Sequence, residues 1–426
     1  MKKICVIGLG YIGLPTASMF ATQGYKVIGV DINANVVETI NKGASHIKEP
    51  GLSTLVKAAV LSKNLIAAKR PEKADVFIIC VPTPFDNNSK NANLDYVKSA
   101  AESIVPYIEK GNLVILESTV PPGTTKNILA PILEKSNLKI GKDLRLAHCP
   151  ERVLPGKVLR ELVENDRIIG GFNTESAELA KKLYQCFVEG ETYLTDATTA
   201  EMVKLMENTY RDVNIALANE FSKIFEKLNI NVWDAIRLAN KHPRVNIHQP
   251  GPGVGGHCIP IDPWFIVEKA PKNAQLIKLS RKINDEMIHH IIKITEELIG
   301  DIKGKRITIF GVAYKGNVGD IRETPSERLC ELLLTMRCDI RLYDPLVKKF
   351  KYKLRNLEES VSNSNCIIVL TDHDDFKNLG IKRIEGIGNL MESKNVVDTR
   401  NCLDHNIWKS TGFRVRVLGK TMEEFD

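Results

Sequence analysis

The sequence predicts an α/β chain: two doubly wound domains, at 1–195 and 301–426, joined by a central helical domain at 196–300 that carries one long helix. Three observations point to this. Apolar segments of strand length alternate with helical patterns from residue 3 to about 195. From about 196 to 298 strand signals fade and an apolar repeat of three to four residues takes over. Alternation returns from Arg306 to the end. At 426 residues the chain also exceeds one ordinary core.

Residues 3–31 read as strand, glycine turn, helix, strand. The basic start and apolar stretch also suit a short secretion signal. Glycines and Tyr11 interrupt that stretch and no small-residue cleavage site follows, so a buried first strand is expected. Gly8-Leu9-Gly10-Tyr11-Ile12-Gly13 matches GxGxxG in that setting, and the second strand ends in Asp31, 18 residues after Gly13. Such glycines let the backbone turn tightly, let a pyrophosphate approach, and let the helix pack on the sheet. Gly8, Gly10, Tyr11, Ile12, Gly13 and Asp31 are therefore expected at a dinucleotide. An Asp31 carboxylate accepts hydrogen bonds from ribose hydroxyls and repels a 2′-phosphate, which favours NAD over NADP.

Further strands are expected at 76–81, 113–116 and 144–149, in a parallel sheet covered on both faces. Two strand ends lead into proline-rich loops, at 81–84 and 118–123. Ligands bind at the carboxyl ends of such strands, so Thr83 and Thr119 are candidates for cofactor contact; both loops also read simply as turns.

The central repeat places Met202, Met206, Tyr210, Val213, Leu217, Phe221, Ile224 and Leu228 on one side of a helix over 199–228. A helix this long suits a spine between domains or a dimer interface. On another side stand Glu201, Lys204, Asn208 and Arg211, within an arc of about 80°. That face reads either as solvated, with an ordinary ion pair, or as a lysine and an amide aimed into a cleft to handle a proton and hold an oxyanion. In the third segment strands are expected at 307–310, 340–343, 366–370 and 396–398, with no second GxGxxG.

Residues 250–263 combine four glycines and two prolines ahead of Cys258. So little side-chain bulk lets a substrate approach the backbone. Cys258 is either a buried spectator or an exposed nucleophile whose thiolate a nearby cation stabilises. His257, its neighbour in an extended loop, points the other way and is left out of the catalytic set.

Composition narrows the class. Charged residues are 26% and hydrophobic residues 43%, as in ordinary globular proteins, and no run of about 18 apolar residues offers a membrane span. The net charge of +7 is interleaved along the chain and aromatics are 6%, which speaks against nucleic acid and suits a small anionic substrate. Nine scattered cysteines form no CxxC pair and no Cys/His cluster, so neither a disulfide framework nor a metal site is expected, and the setting is a reducing cytoplasm. Cys5, Cys80 and Cys366 read as small buried hydrophobes inside strands.

Taken together, GLGYIG, VPTP, STVPPGT, CPERVLPG at 149–156, EMVKLMENTYRD at 201–212, GPGVGGHCIPIDP and YKGNVGDIRETPS at 314–326 resemble the UDP-glucose/GDP-mannose dehydrogenase family over nearly the whole chain. The resemblance implies two Rossmann-like domains, NAD as cofactor and oxidation of a UDP-sugar alcohol to an acid with two NAD and one water. It implies that Cys258 attacks the first-formed aldehyde, and that the resulting thiohemiacetal is oxidised to a thioester, which water hydrolyses. It further implies Lys204 as acid/base or electrostatic stabiliser, Asn208 as oxyanion partner, Glu151 in water activation, Asp262 in positioning water, and Thr119 beside the reacting carbon.

Within the family the likeness is greatest to members acting on UDP-N-acetyl-D-mannosamine, through CPERVLPGK, His242-Pro243-Arg244-Val245-Asn246 and the Asp262-Pro263-Trp264-Phe265 ending. By that match Arg152, Val153, Lys204, Asn208, Arg211, His242, Arg244, Gly255, Tyr314, Lys315 and Arg400 contact the sugar nucleotide, and Arg322 the NAD. Relatives send the equivalent of Arg244 into a neighbouring subunit, so a homodimer or higher assembly on the 199–228 helix is expected. One departure is Ile261, where many UDP-glucose dehydrogenases have lysine; it favours an N-acetylated sugar, with UDP-N-acetylglucosamine and UDP-glucose as alternatives. A two-electron hydroxy-acid dehydrogenase needs no cysteine, and an NAD-binding regulator leaves the cysteine loop unexplained.

Overall fold

Runs of β-branched and aliphatic residues become the strands of two sheets in the computed structural model, which describes residues 3–86 and 90–421. By its contacts the chain divides into two compact units: the first reaches Glu207 and includes Trp264–Pro271; the second comprises Asn208–Pro263 and Lys272–Asp426.

In the first unit the strands are β1 Lys3–Ile7, β2 Lys26–Val30, β3 Leu65–Ala68, β4 Val76–Ile79, β5 Phe85–Asp86, β6 Asn91–Ala92, β7 Leu113–Leu116, β8 Arg145–His148, β9 Arg167–Gly171 and β10 Thr192–Asp196. β5 and β6 form a small antiparallel pair, and the rest one sheet in the order β3-β2-β1-β4-β7-β8-β9-β10. The order reverses between β1 and β4, which is the crevice where such sheets bind ligands. Each neighbouring pair from β3 through to β8 is parallel, but β9 runs antiparallel to β8, with β10 parallel to β9. The wholly parallel sheet expected from the sequence is thus corrected at one edge, because alternating burial does not encode strand direction. β4 and β7 are buried along their whole length, as their continuous apolar runs require.

The second unit carries β11 Arg306–Phe310, β12 Asp339–Tyr343, β13 Cys366–Val369, β14 Asn395–Asp398 and β15 Arg414–Val417. All neighbours are parallel, in the order β12-β11-β13-β14-β15.

The long helix spans Ala197–Leu228, 32 residues, and the boundary between the units falls inside it. Its amphipathicity is inverted. Glu201, Lys204, Asn208, Thr209, Asp212, Asn219 and Ser222 are buried, while Met206, Tyr210, Leu217, Ile224 and Leu228 are exposed. The solvated reading of the polar face is overturned. Buried polar groups require partners, and they have them. Glu201 accepts from the Gly123 and Thr125 backbone N–H groups at 2.6 and 2.7 Å and from the Thr125 hydroxyl at 2.6 Å. Arg281 donates to Asp212 at 2.5 Å, and Asn219 donates to Asn284 at 2.9 Å.

Candidate functional site

In the first unit the glycine turn follows β1. Gly8 has φ +91°, and a Cβ there would stand 2.8 Å from the Cys80 carbonyl oxygen. A Cβ on Gly13 would stand 1.8 Å from the Gly8 carbonyl oxygen. These two glycines are demanded by the chain itself. Gly10 is not: a Cβ there would meet nothing within 4 Å, so its smallness leaves room for something outside the chain. The helix Gly13–Thr22 that follows has no side-chain cap and no acidic residue in its first turn, so its first N–H groups suit a pyrophosphate. Tyr11 is exposed and Ile12 half-buried at its mouth. Asp31, at the end of β2, is fixed by the Leu9 and Asn33 N–H groups at 3.1 and 2.9 Å. Each of its oxygens keeps a lone pair for a ribose hydroxyl. The residues fit a dinucleotide.

The loops after β4 and β7 are laced together. The Thr83 hydroxyl donates to the Thr119 carbonyl at 2.7 Å, and the Ser118 hydroxyl to the Val81 carbonyl at 2.6 Å. Thr83 is thereby engaged with the protein, while Thr119 is half-buried. Cys80 sits just past β4 and is not a mere hydrophobe as expected: its thiol donates to Glu117 at 3.0 Å. Cys5 and Cys366 are buried in strands as expected.

After β8, Glu151 is buried. Its Oε2 accepts from Arg167 at 3.0 Å and its Oε1 from the Arg152 N–H at 2.7 Å. The Arg152 side chain is paired with Glu207 at 2.8 Å, and Val153 packs against the apolar core. Lys204 is buried on the long helix, one turn before Asn208.

In the second unit the cysteine loop and the helix meet. Asn208 donates its amide to Asp262 at 2.5 Å, and Arg211 donates to the Asn208 carbonyl. The Asp262 N–H bonds the Cys258 carbonyl at 2.9 Å, so the carboxylate is tied to the loop that carries the thiol. Cys258 is exposed. Arg322 lies within electrostatic reach of it and is itself held by Asp320 at 2.6 Å. That is the nearby cation a thiolate needs. Burial, and next the Arg322 charge, push the His257 pKa down, which keeps that ring neutral.

The loop glycines serve a purpose the sequence reading did not give them. A Cβ on Gly255 would stand 2.5 Å from the Tyr314 Cβ, one on Gly256 3.1 Å from the Tyr314 ring, and one on Gly251 2.6 Å from the Arg400 guanidinium. The space beside these three glycines is taken by Tyr314 and Arg400, themselves candidate substrate residues. Arg400 is steadied by Asp372 at 3.3 Å, and the Gly256 N–H bonds the Arg322 carbonyl at 2.9 Å. Gly255, Tyr314, Arg322 and Arg400 are therefore gathered around the cysteine loop. His242, Arg244 and Lys315 are exposed, the Arg244 N–H folding back to His242 Nδ1 at 3.3 Å.

Sequence reasoning missed Arg167 and Glu117. A charged residue opening an otherwise apolar strand, as in Arg167-Ile168-Ile169, is the signal that could have marked the first. Among the described residues no group of three His, Cys, Asp or Glu side chains is placed to hold a metal ion, and no helix is long and apolar enough to cross a membrane.

Family models match three stretches: the UDP-glucose/GDP-mannose dehydrogenase NAD binding domain at 2–188, its central domain at 198–286 and its UDP binding domain at 308–405. The chain is 55% identical over 424 residues to a UDP-N-acetyl-D-mannosamine dehydrogenase of Methanococcus vannielii, covering 98% of this chain and 97% of the relative. Among solved structures, a UDP-D-ManNAc dehydrogenase from Pyrococcus horikoshii superposes with a TM-score of 0.92 at 42% identity, over 99% of this chain and 100% of that one. The UDP-N-acetyl-mannosamine dehydrogenase of S. aureus gives 0.88 at 45% identity, over 98% and 99%.

Proposed function

Because the chain belongs to the UDP-glucose/GDP-mannose dehydrogenase family, we propose that it oxidises the C6 hydroxymethyl of UDP-N-acetyl-D-mannosamine to the carboxylate, in two steps through a thioester on Cys258. NAD is the cofactor and, when bound, supplies the hydride acceptor for each oxidation. One observation carries the covalent part: Cys258 is exposed beside Arg322, on a loop whose Asp262 is hydrogen-bonded to Asn208.

Cys258 adds its thiolate to the aldehyde carbon and so keeps the half-oxidised sugar from leaving. One Asn208 amide hydrogen is spent on Asp262; the other, with the Lys204 ammonium, is available for the developing oxyanion. Arg211 and Asp262 fix that amide from both ends. Glu151 takes the proton of the hydrolytic water, Asp262 positions it, and Thr119 stands beside the reacting carbon. Arg152, Val153, Arg211, His242, Arg244, Gly255, Tyr314, Lys315 and Arg400 bind the UDP-sugar, the arginines and lysine suiting its diphosphate. Arg322 contacts NAD. In this reading residues 1–195 bind NAD, 196–300 dimerise and 301–426 bind the nucleotide, in a reducing cytoplasm where an exposed thiol stays reduced.

The choice of sugar rests on the relatives' names and on Ile261. NADH yield per mole of limiting sugar tests it. A yield of about two with UDP-N-acetyl-D-mannosamine, and not with UDP-N-acetylglucosamine or UDP-glucose, is expected. A yield of about two with another sugar alone overturns the substrate, and a yield of about one overturns the thioester.

A homodimer is part of the same proposal. The exposed stripe Met206, Tyr210, Leu217, Ile224, Leu228 on the long helix is the kind of apolar surface that a second copy covers. Sedimentation at micromolar concentration is expected to show a dimer or larger species, and the Leu217→Glu, Ile224→Glu double variant a smaller one. A monomeric parent protein would refute this.

A further inference from the structure

Glu151 is held from another strand. Arg167 opens β9 with its side chain only 5% exposed, and its Nη2 donates to Glu151 Oε2 at 3.0 Å. Its Nη1 lies 3.6 Å from the Cys149 sulfur, and its guanidinium stacks 4.5 Å from the Tyr184 ring centroid. The second Glu151 oxygen is taken by the Arg152 N–H. The carboxylate is thus fixed at both ends, and a planar fork locked by stacking sets its direction.

A second buried acid shares the cation. Glu117, just past β7, accepts from the Tyr184 hydroxyl at 2.5 Å, from Cys80 at 3.0 Å and from Thr16 at 3.4 Å. Burial raises its pKa; the Arg167 charge opposes this and the Glu151 charge adds to it. Arg167 bonds Glu151 directly, while Glu117 holds the Tyr184 ring on which the guanidinium stacks. The groups facing Glu151 are Arg167, Glu117, Cys80 and Cys149, with Tyr184 behind the guanidinium. Burial pushes Cys149 up to about 12, and Cys80 and Tyr184 also well up, so these three stay neutral.

We propose that Arg167 is the positioning residue of the hydrolytic step, its fork keeping Glu151 aimed, with Glu117 anchoring the Tyr184 ring on which Arg167 stacks. This rests on Glu151 acting as base in the proposed reaction. In that step the water oxygen bonds to the acyl carbon and the water proton passes to Glu151. The carbon–sulfur bond breaks, its electron pair leaves on the Cys258 thiolate, and no oxidant is consumed.

The test uses the full-length enzyme with NAD and UDP-sugar, and compares Glu151→Gln, Arg167→Gln and Arg167→Lys. Acyl-enzyme is read by intact mass after acid quench, hydrolysis by single-turnover rate against pH, and folding by thermal melt. Glu151→Gln is expected to accumulate acyl-enzyme. Arg167→Gln is expected to accumulate it too, and to change the pH midpoint of hydrolysis, because the carboxylate has lost the cation that bonds it. Arg167→Lys, which keeps the charge but not the fork, is expected to move the midpoint less while still slowing hydrolysis. It also gives the reading if the glutamine variant fails to fold. A folded Arg167 variant with the parental midpoint and no acyl-enzyme makes the arginine merely structural and overturns the proposal. If Glu151→Gln itself accumulates nothing, the base assignment fails and the proposal fails with it.

Discussion

Cys258→Ala is expected to abolish acid formation, a loss of roughly 10³-fold or more, as for removal of other nucleophiles. The alcohol-to-aldehyde step needs no sulfur, so the variant still yields up to one NADH per sugar, together with free aldehyde that a hydrazine reagent traps. Serine at 258 is a finer probe. Its hydroxyl is a weak nucleophile at neutral pH and gains little from a cation such as Arg322, whose value lies in stabilising a thiolate. Cys258→Ser is therefore expected to behave like alanine in acid yield. Acid formation by Cys258→Ala at the parental rate would sink the covalent route and leave a hydrated aldehyde as the second substrate. Asn208 and Asp262 give an internal control. Their hydrogen bond is buried and the Asp262 N–H is tied to the Cys258 carbonyl, so Asn208→Ala takes one donor from a buried carboxylate. That variant is expected to lose turnover while still forming a covalent adduct, which Cys258→Ala cannot form.

The sequence revealed the first β–turn–β unit, the long helix and the four expected strands of the second sheet, because each is carried by local pattern. The helix begins two residues before the expected 199. What it hid is non-local. The reversal of β9 and β10 leaves no mark on periodicity, and β9, with arginine first and two glycines last, does not read as a core strand at all. The inverted helix is the sharper case. Amphipathic reasoning sends Met206, Leu217 and Ile224 inward and Glu201, Lys204 and Asn208 to water, and the structure does the reverse. The rule assumes that only apolar faces gain by burial. Here Glu201 finds two backbone N–H groups and a hydroxyl, and Asn208 finds Asp262 and Arg211, so the polar face is satisfied inside. The glycines of the cysteine loop read as room for a substrate, but the missing side chains of Gly251, Gly255 and Gly256 make room for Tyr314 and Arg400. Arg167 and Glu117 lie 50 residues apart in sequence, and nothing local announces that they share one buried charge system.

Acid should weaken the first unit from about pH 6.5 downward through His148. His148 ends β8, paired with Leu116 of β7 on one side and Gly170 of β9 on the other, with no exposed surface. Burial holds its pKa down at about 3, weakly opposed by the Leu116 backbone. The unfolded chain takes up this proton near pH 6.5 and the folded one does not, so the contribution is complete above pH 6.5 and is lost as pH falls toward 3. At 1.36 kcal/mol per unit, the loss is about 2 kcal/mol at pH 5 and about 4–5 kcal/mol near pH 3. In the second unit burial tends to raise the Asp344 pKa, but the His373 bond and the N–H groups of Leu346, Val312 and Val347 outweigh it and hold it at about 2. Its contribution is therefore intact above about pH 4 and is lost only below. Between pH 6.5 and 4 the histidine alone of these two groups titrates. The unfolding free energy of the first unit, followed in urea at pH 7.5 and 5.0, is expected to fall by about 2 kcal/mol more in the parent than in His148→Phe, which packs a ring but binds no proton. Equal losses in the two proteins would mean that His148 gains a proton without unfolding, and that the cost of charging it in the sheet is met by local opening at the β8–β9 edge.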